Sequence, residues 1–282
     1  MKEKNKGVVL ILCSSLFFAI MAAAVKSVPN IPLAEKVFFR NFIGLIAVGI
    51  PMLRHRVSFK PNNPKLVLLR SVFGLSGVAM YYTSLSKLNL SDAVIINKLS
   101  PFFVIILSML FLGEKIKKHQ IAAILMALMG VGLVVKPGFN FELFPALIGL
   151  TGAFFAGSAY TTIRKLSSYD SAKLIVFYFC LFSTLVTIPF MAAGQFVVPT
   201  GTELFSLVLI GLSALVAQLL MTNAYRHAPA SQLSIYTYAN VVFSTLLGLI
   251  IWSEWPDALS LTGAVLIVGG SFVNYYFNQK HA

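Results

Sequence analysis

Lys98 and Arg40 are the residues best placed to do chemistry, because each stands inside a long apolar run. Lys98 follows Leu90 by eight residues and Arg40 lies seven residues into its own run. At a helical rise of about 1.5 Å per residue both sit on the order of 10–12 Å from the nearest membrane surface. A cation at the centre of a bilayer costs at least about 2.5–3.5 kcal/mol and therefore faces a cavity or a partner. A cavity-facing ammonium attracts carboxylate or phosphate strongly, since Coulomb attraction grows as the dielectric falls. Arg40 has Glu35 nearby, so a structural role at helix carbonyls and a substrate contact are both open to it. Further polar side chains lie away from run ends: Asn97, Ser100 and Tyr82 in one half, Gln218, Asn223, Tyr236, Tyr238 and Asn240 in the other. Interhelical hydrogen bonding explains any one of them. Their concentration in four runs predicts a lined cavity, with Lys98, Asn97, Arg40, Tyr82, Gln218, Tyr238 and Asn240 as substrate-binding candidates.

Other chemistry is missing. The four histidines have no metal-ligand spacing, and there is no phosphate loop and no pair of mid-run carboxylates. The sequence predicts no enzyme activity, no cofactor and no metal.

The elements that must position these groups are membrane helices. Of 282 residues 58% are hydrophobic and 11% charged, with a mean hydropathy of +0.85. Soluble domains carry about 25% charged residues, so too little polar surface is available here to cover a soluble core. Ten runs meet the requirement of roughly 20 apolar residues: 7–27, 33–52, 66–87, 90–112, 119–136, 144–164, 171–193, 203–225, 229–252 and 257–278. Their continuous apolarity excludes a barrel. The net charge of +13 is a topology signal. With the N-terminus inside, sixteen of the 22 Lys and Arg fall at inner segments, Arg70 among them, and four fall outside, Lys36 among them. That bias predicts cytoplasmic termini and removes the argument for nucleic acid. Lys2–Lys6, an apolar run and Ala22-Ala23-Ala24 resemble a cleavable leader; the expectation is that this segment stays as the first helix.

The chain repeats itself. A shift of 140 residues places Leu75 on Leu215, Ser91 on Ser231, Phe103 on Phe243, Glu114 on Glu254 and Gly130 on Gly270. Five helices per copy is odd, so the copies enter from opposite sides. Basic Lys115-Ile116-Lys117-Lys118 accordingly corresponds to Trp255-Pro256-Asp257-Ala258, which is not basic. We therefore expect an all-α membrane protein with ten transmembrane helices in two inverted-topology five-helix repeats, 1–137 and 138–282. Inverted repeats place a site near the midplane and suit alternating access.

On these residues the chain resembles the EamA-type branch of the drug/metabolite transporter superfamily over essentially its whole length. Leu85–Glu114 is similar to the family's fourth-helix signature: a small-residue turn, mid-helix Pro101 and closing Gly113-Glu114. The second half keeps Ser253-Glu254, with Val241 in place of the proline. Arg40, in FFRNF, matches an arginine common in the family's second helix. The resemblance implies a multi-pass carrier of small metabolites in the cytoplasmic (inner) membrane. Sugar-phosphate translocators, distant relatives, place basic residues on both central helices, whereas Lys98 here corresponds to Tyr238. That difference favours an amino acid or other carboxylate-bearing substrate over a phosphate. The alternative is a broad-specificity exporter of lipophilic drugs or metabolites. Glu114, Glu254 and Pro101 are expected to be structural or gating residues. The partners expected are a small-molecule substrate and the lipid bilayer. A coupled proton and a counter-substrate both stay open, as does the oligomeric state.

Overall fold

The computed structural model describes residues 2–113, 118–135, 143–166, 168–227 and 234–280. These form α1 (Lys2–Lys26), α2 (Leu33–Arg54), α3 (Pro64–Leu85), α4 (Leu90–Asn97), α5 (Ser100–Leu112), α6 (Lys118–Val135), α7 (Leu143–Leu166), α8 (Ala172–Phe190) and α9 (Gly201–His227). A 3₁₀ segment, Ser234–Tyr238, then leads into α10 (Ala239–Trp252), and α11 (Ala258–Lys280) closes the chain. No strand occurs among the described residues. With α4 and α5 as one span, eight helices among the described residues are long and apolar enough to cross a membrane. Lys118–Val134 and Tyr236–Trp252 are shorter apolar helices.

Local chemistry sets several ends. Asn63 accepts from Leu66 N–H (3.1 Å) with Pro64 in the first turn of α3, the residue pair a helix start favours. Gly113 ends α5 at φ 70°, and Ser253 ends α10 at φ 54°. These two left-handed caps are 140 residues apart, at the register of the repeat.

The packing obeys the repeat as well. If α1, α2, α3, α4–α5 and α6 correspond to α7, α8, α9, 3₁₀–α10 and α11, exchanging the halves maps observed contacts onto observed contacts. The α1–α9 pair becomes α7–α3, α2–α9 becomes α8–α3, and α1–α10 becomes α7–α5. The pairs α2–α8, α4–α10 and α6–α11 map onto themselves. Within the self-paired helices the chains run antiparallel: Gly44 abuts Cys180 while Gly49 abuts Phe177. In α6–α11, Gly130 meets Ile267 and His119 stacks on Phe277. Equivalent helices that run antiparallel require a two-fold axis perpendicular to them, in the plane of the membrane. The boundary expected between 137 and 138 lies outside the described residues.

Tight helix contact replaces hydrophobic burial as the cohesive term here, because lipid is as apolar as the side chains. A Cβ on Gly130 would stand 2.6 Å from the Gly263 carbonyl oxygen, so the α6–α11 approach needs a bare backbone. Ala22, Ala23 and Ala24 are buried in the main core, with α1 packed on α9 and α10. The segment that resembles a leader packs within the bundle. Large apolar side chains such as Leu110, Ile250 and Val265 point outward, as lipid contact requires.

Two charges counted in the topology bias are buried in the bundle. Lys36 is 2% exposed within α2 and Arg70 9% exposed within α3, each beyond the first helical residues and turned into the bundle.

Candidate functional site

The fourth span breaks where proline dictates. Pro101 has no N–H to give the Asn97 carbonyl, and its ring crowds that oxygen. Phe102 N–H turns to Leu99 O (2.9 Å), leaving the Lys98 carbonyl without its regular ladder partner. The Lys98 N–H is shared between Val94 O (3.1 Å) and Ile95 O (3.0 Å). Lys98 therefore sits in a turn between two half-helices, a backbone irregularity that membranes tolerate only inside protein or beside a cavity.

The second copy breaks at the same register, where the 3₁₀ segment ends on Tyr238, the counterpart of Lys98. Val241 occupies the proline position, so this break has another cause. Lys98 and Tyr238 line one narrow cleft with Ile95, Val241, Ala264, Ile267 and Val268, closed to water-sized molecules in this conformation. The Lys98 ammonium makes no hydrogen bond or ion pair with a described residue. Asn97 is half-buried beside it. The Tyr238 hydroxyl is hydrogen-bonded to Ser271 Oγ.

The other predicted residues lie elsewhere. Asn240 is buried and donates to the Ser15 carbonyl of α1 (3.0 Å). Gln218 is half-buried on α9. Arg40 and Tyr82 belong to a second cluster on α2, α3 and α8, within electrostatic range of each other and, through Arg40, of Arg70 and Cys180. Arg40 Nη1 donates only a long bond to Asn41 Oδ1 (3.4 Å), and its Nε has no partner. The Tyr82 hydroxyl is likewise buried and unpartnered. Arg70 is the member that the sequence reading missed. Its signals were a position six residues past Pro64, too deep for a loop charge, and Gly74 one turn on.

Glu254 knits three helices. Its Oε1 pairs with Lys26 Nζ, and its Oε2 accepts from Leu90 N–H (2.9 Å) at the start of α4. Lys26 also donates to Leu88 O (2.7 Å) and lies 5.4 Å from the centre of the Trp252 ring. Its repeat mate Glu114 lies outside the described residues.

A model of the EamA-like transporter family matches residues 5–136 and again 143–276. The chain belongs to the EamA-like transporter family. Membership makes it a multi-pass membrane transporter of the drug/metabolite transporter superfamily and not an enzyme. Among this transporter's relatives is the pseudopaline exporter of Pseudomonas aeruginosa, 38% identical over 268 residues, which cover 94% of each chain. The S-adenosylmethionine uptake transporter of Rickettsia bellii is 26% identical over 87% of this chain and 84% of its own. A solved crystal structure shares the fold with a TM-score of 0.69, at 21% identity over 98% of both chains.

Proposed function

We propose that this EamA-like transporter is a secondary carrier that moves a small carboxylate-bearing metabolite, such as an amino acid, by alternating access across the cytoplasmic membrane. The observation that carries the reading is Lys98, held in a helix break at the repeat axis with no carboxylate among the described residues paired to it. An unpaired ammonium at that depth costs several kcal/mol, and an anionic substrate offsets part of that cost on binding. Asn97 and Tyr238 flank it, and Pro101 keeps the break open. The exporter among the relatives favours efflux as the direction. The two copies, 1–137 and 138–282, would exchange conformations to expose the cleft to either side, with both termini cytoplasmic.

The apolar walls of the cleft favour a second reading, a broad exporter of lipophilic compounds. Transport in liposomes separates the two. With purified protein and labelled amino acids, carboxylates and cationic dyes, the carboxylate reading expects Lys98→Gln to insert normally and to lose at least about tenfold in carboxylate flux. Full carboxylate flux in that variant would overturn the assignment, and dye efflux that survives or improves would decide for the lipophilic exporter.

A further inference from the structure

The Lys98 cleft leaves a second set of cations, buried Arg70 and half-buried Arg40, without a role. Arg70 from α3 and Arg40 from α2 converge on one ring of α8, with their Cζ atoms 3.9 and 5.8 Å from the Phe179 centroid. Their guanidinium groups are therefore no more than about 10 Å apart. Stacking on an arene occupies the flat face of a guanidinium and leaves its in-plane N–H groups free for bidentate partners.

Apart from the long bond of Arg40 Nη1 to Asn41 Oδ1 (3.4 Å), no described residue accepts from those N–H groups. Nε and Nη1 of Arg70 and Nε of Arg40 are buried without a hydrogen-bond partner, and neither side chain forms an ion pair with a described residue. No described carboxylate pairs with either arginine. Glu35 accepts from Val197 N–H through Oε2 while its Oε1 has no partner, Asp170 accepts from the N–H groups of Asn62 and Asn63, and Glu254 from Lys26 and Leu90. Room for the Arg70 head is built in: a Cβ on Gly74 would stand 2.7 Å from Nη1 and 2.8 Å from the Phe179 ring. One turn before Arg40, buried Lys36 reaches Ser86 Oγ (3.4 Å) and extends the line of positive charge along α2.

Two like charges sharing a low-dielectric site repel, and an aromatic face attracts them without neutralising them. Helix glue does not account for them either, since neither arginine bonds a backbone carbonyl. We infer that Arg40 and Arg70, held on Phe179, bind the two carboxylates of a dicarboxylate substrate. Two forks within about 10 Å of each other can engage two carboxylates of one molecule, each through bidentate hydrogen bonds. This deepens the carboxylate reading above and rests on it.

Full-length protein in liposomes tests the inference through counterflow of labelled glutarate. The competitors are the unlabelled dicarboxylates from malonate to suberate, butyrate and inorganic phosphate. The expected result is competition at least tenfold stronger from the best of the dicarboxylates than from butyrate or phosphate. Arg70→Gln and Arg40→Gln should each weaken glutarate at least tenfold and remove its advantage over butyrate. Arg70→Lys should fall between them and the unaltered protein, and Gly74→Ala should act in the direction of Arg70→Gln. Butyrate or phosphate competing as well as the best dicarboxylate on the unaltered protein, which needs no variant to fold, would overturn the inference. So would arginine variants that keep the advantage of glutarate over butyrate. If the unaltered protein moves amino acids in a Lys98-dependent way and shows no preference for dicarboxylates, the arginine site alone fails. If it moves no carboxylate at all, the carboxylate reading fails with it.

Discussion

Lys98 and Asn240 look alike in sequence, each a polar residue deep in an apolar run, yet their contacts differ. The Asn240 amide is spent on the Ser15 carbonyl, a tie between α10 and α1, while the Lys98 ammonium makes no hydrogen bond or ion pair with a described residue. Interhelical hydrogen bonds inside membranes average about 0.6 kcal/mol and reach about 1.7. Asn240→Ala should therefore lower unfolding stability by about 1 kcal/mol, read by equilibrium denaturation in mixed micelles. An unchanged midpoint would show that the tie contributes nothing. The sequence made such residues visible as candidates because polarity inside an apolar run is costly wherever it points. It could not say which were satisfied, since a partner 225 positions away leaves no local trace. Arg70 was hidden for a different reason. Counting charges near run ends treats depth as continuous with the loop, and an arginine one and a half turns inside α3 falls on the wrong side of that boundary.

At the level of elements, hydropathy located the helices but told less about their interruptions. Pro101 announces the break in the fourth span, whereas nothing in the second copy announces the 3₁₀ stretch before Ala239, with Val241 at the proline position. Tertiary packing is left to impose it. The caps show the same asymmetry between copies. Gly113 takes its left-handed conformation freely, while Ser253 takes the equivalent one at φ 54° with a side chain in place. An L-residue in that region carries a cost of roughly 1–2 kcal/mol that glycine avoids. Ser253→Gly should accordingly raise stability by about 1 kcal/mol, less the greater chain entropy glycine brings to the unfolded state. A thermal melt that falls on this substitution would mean that the serine hydroxyl holds something the cap geometry does not show.

For the whole molecule, the proposed alternating access requires each copy to be able to take the other's conformation, and the exchange symmetry of the contacts is the arrangement that this needs. In the present conformation one face is fastened. Lys26 belongs to the first copy and Glu254 to the second, and the carboxylate also takes the Leu90 N–H that opens α4. Separating the copies at this face, which the proposed topology puts outside, must break both contacts. Glu254→Gln removes the ionic part and keeps a weaker acceptor for Leu90. In a background lacking Cys13 and Cys180, a cysteine replacing buried Leu88 should then react faster with an impermeant maleimide added from outside. Reversing the pair, Lys26→Glu with Glu254→Lys, restores the attraction but gives the Leu90 N–H no acceptor at residue 254. It should recover only part of the protection. If both variants label at the rate of the unaltered pair, this contact does not hold the face shut, and the closure must lie in the helix packing beneath it.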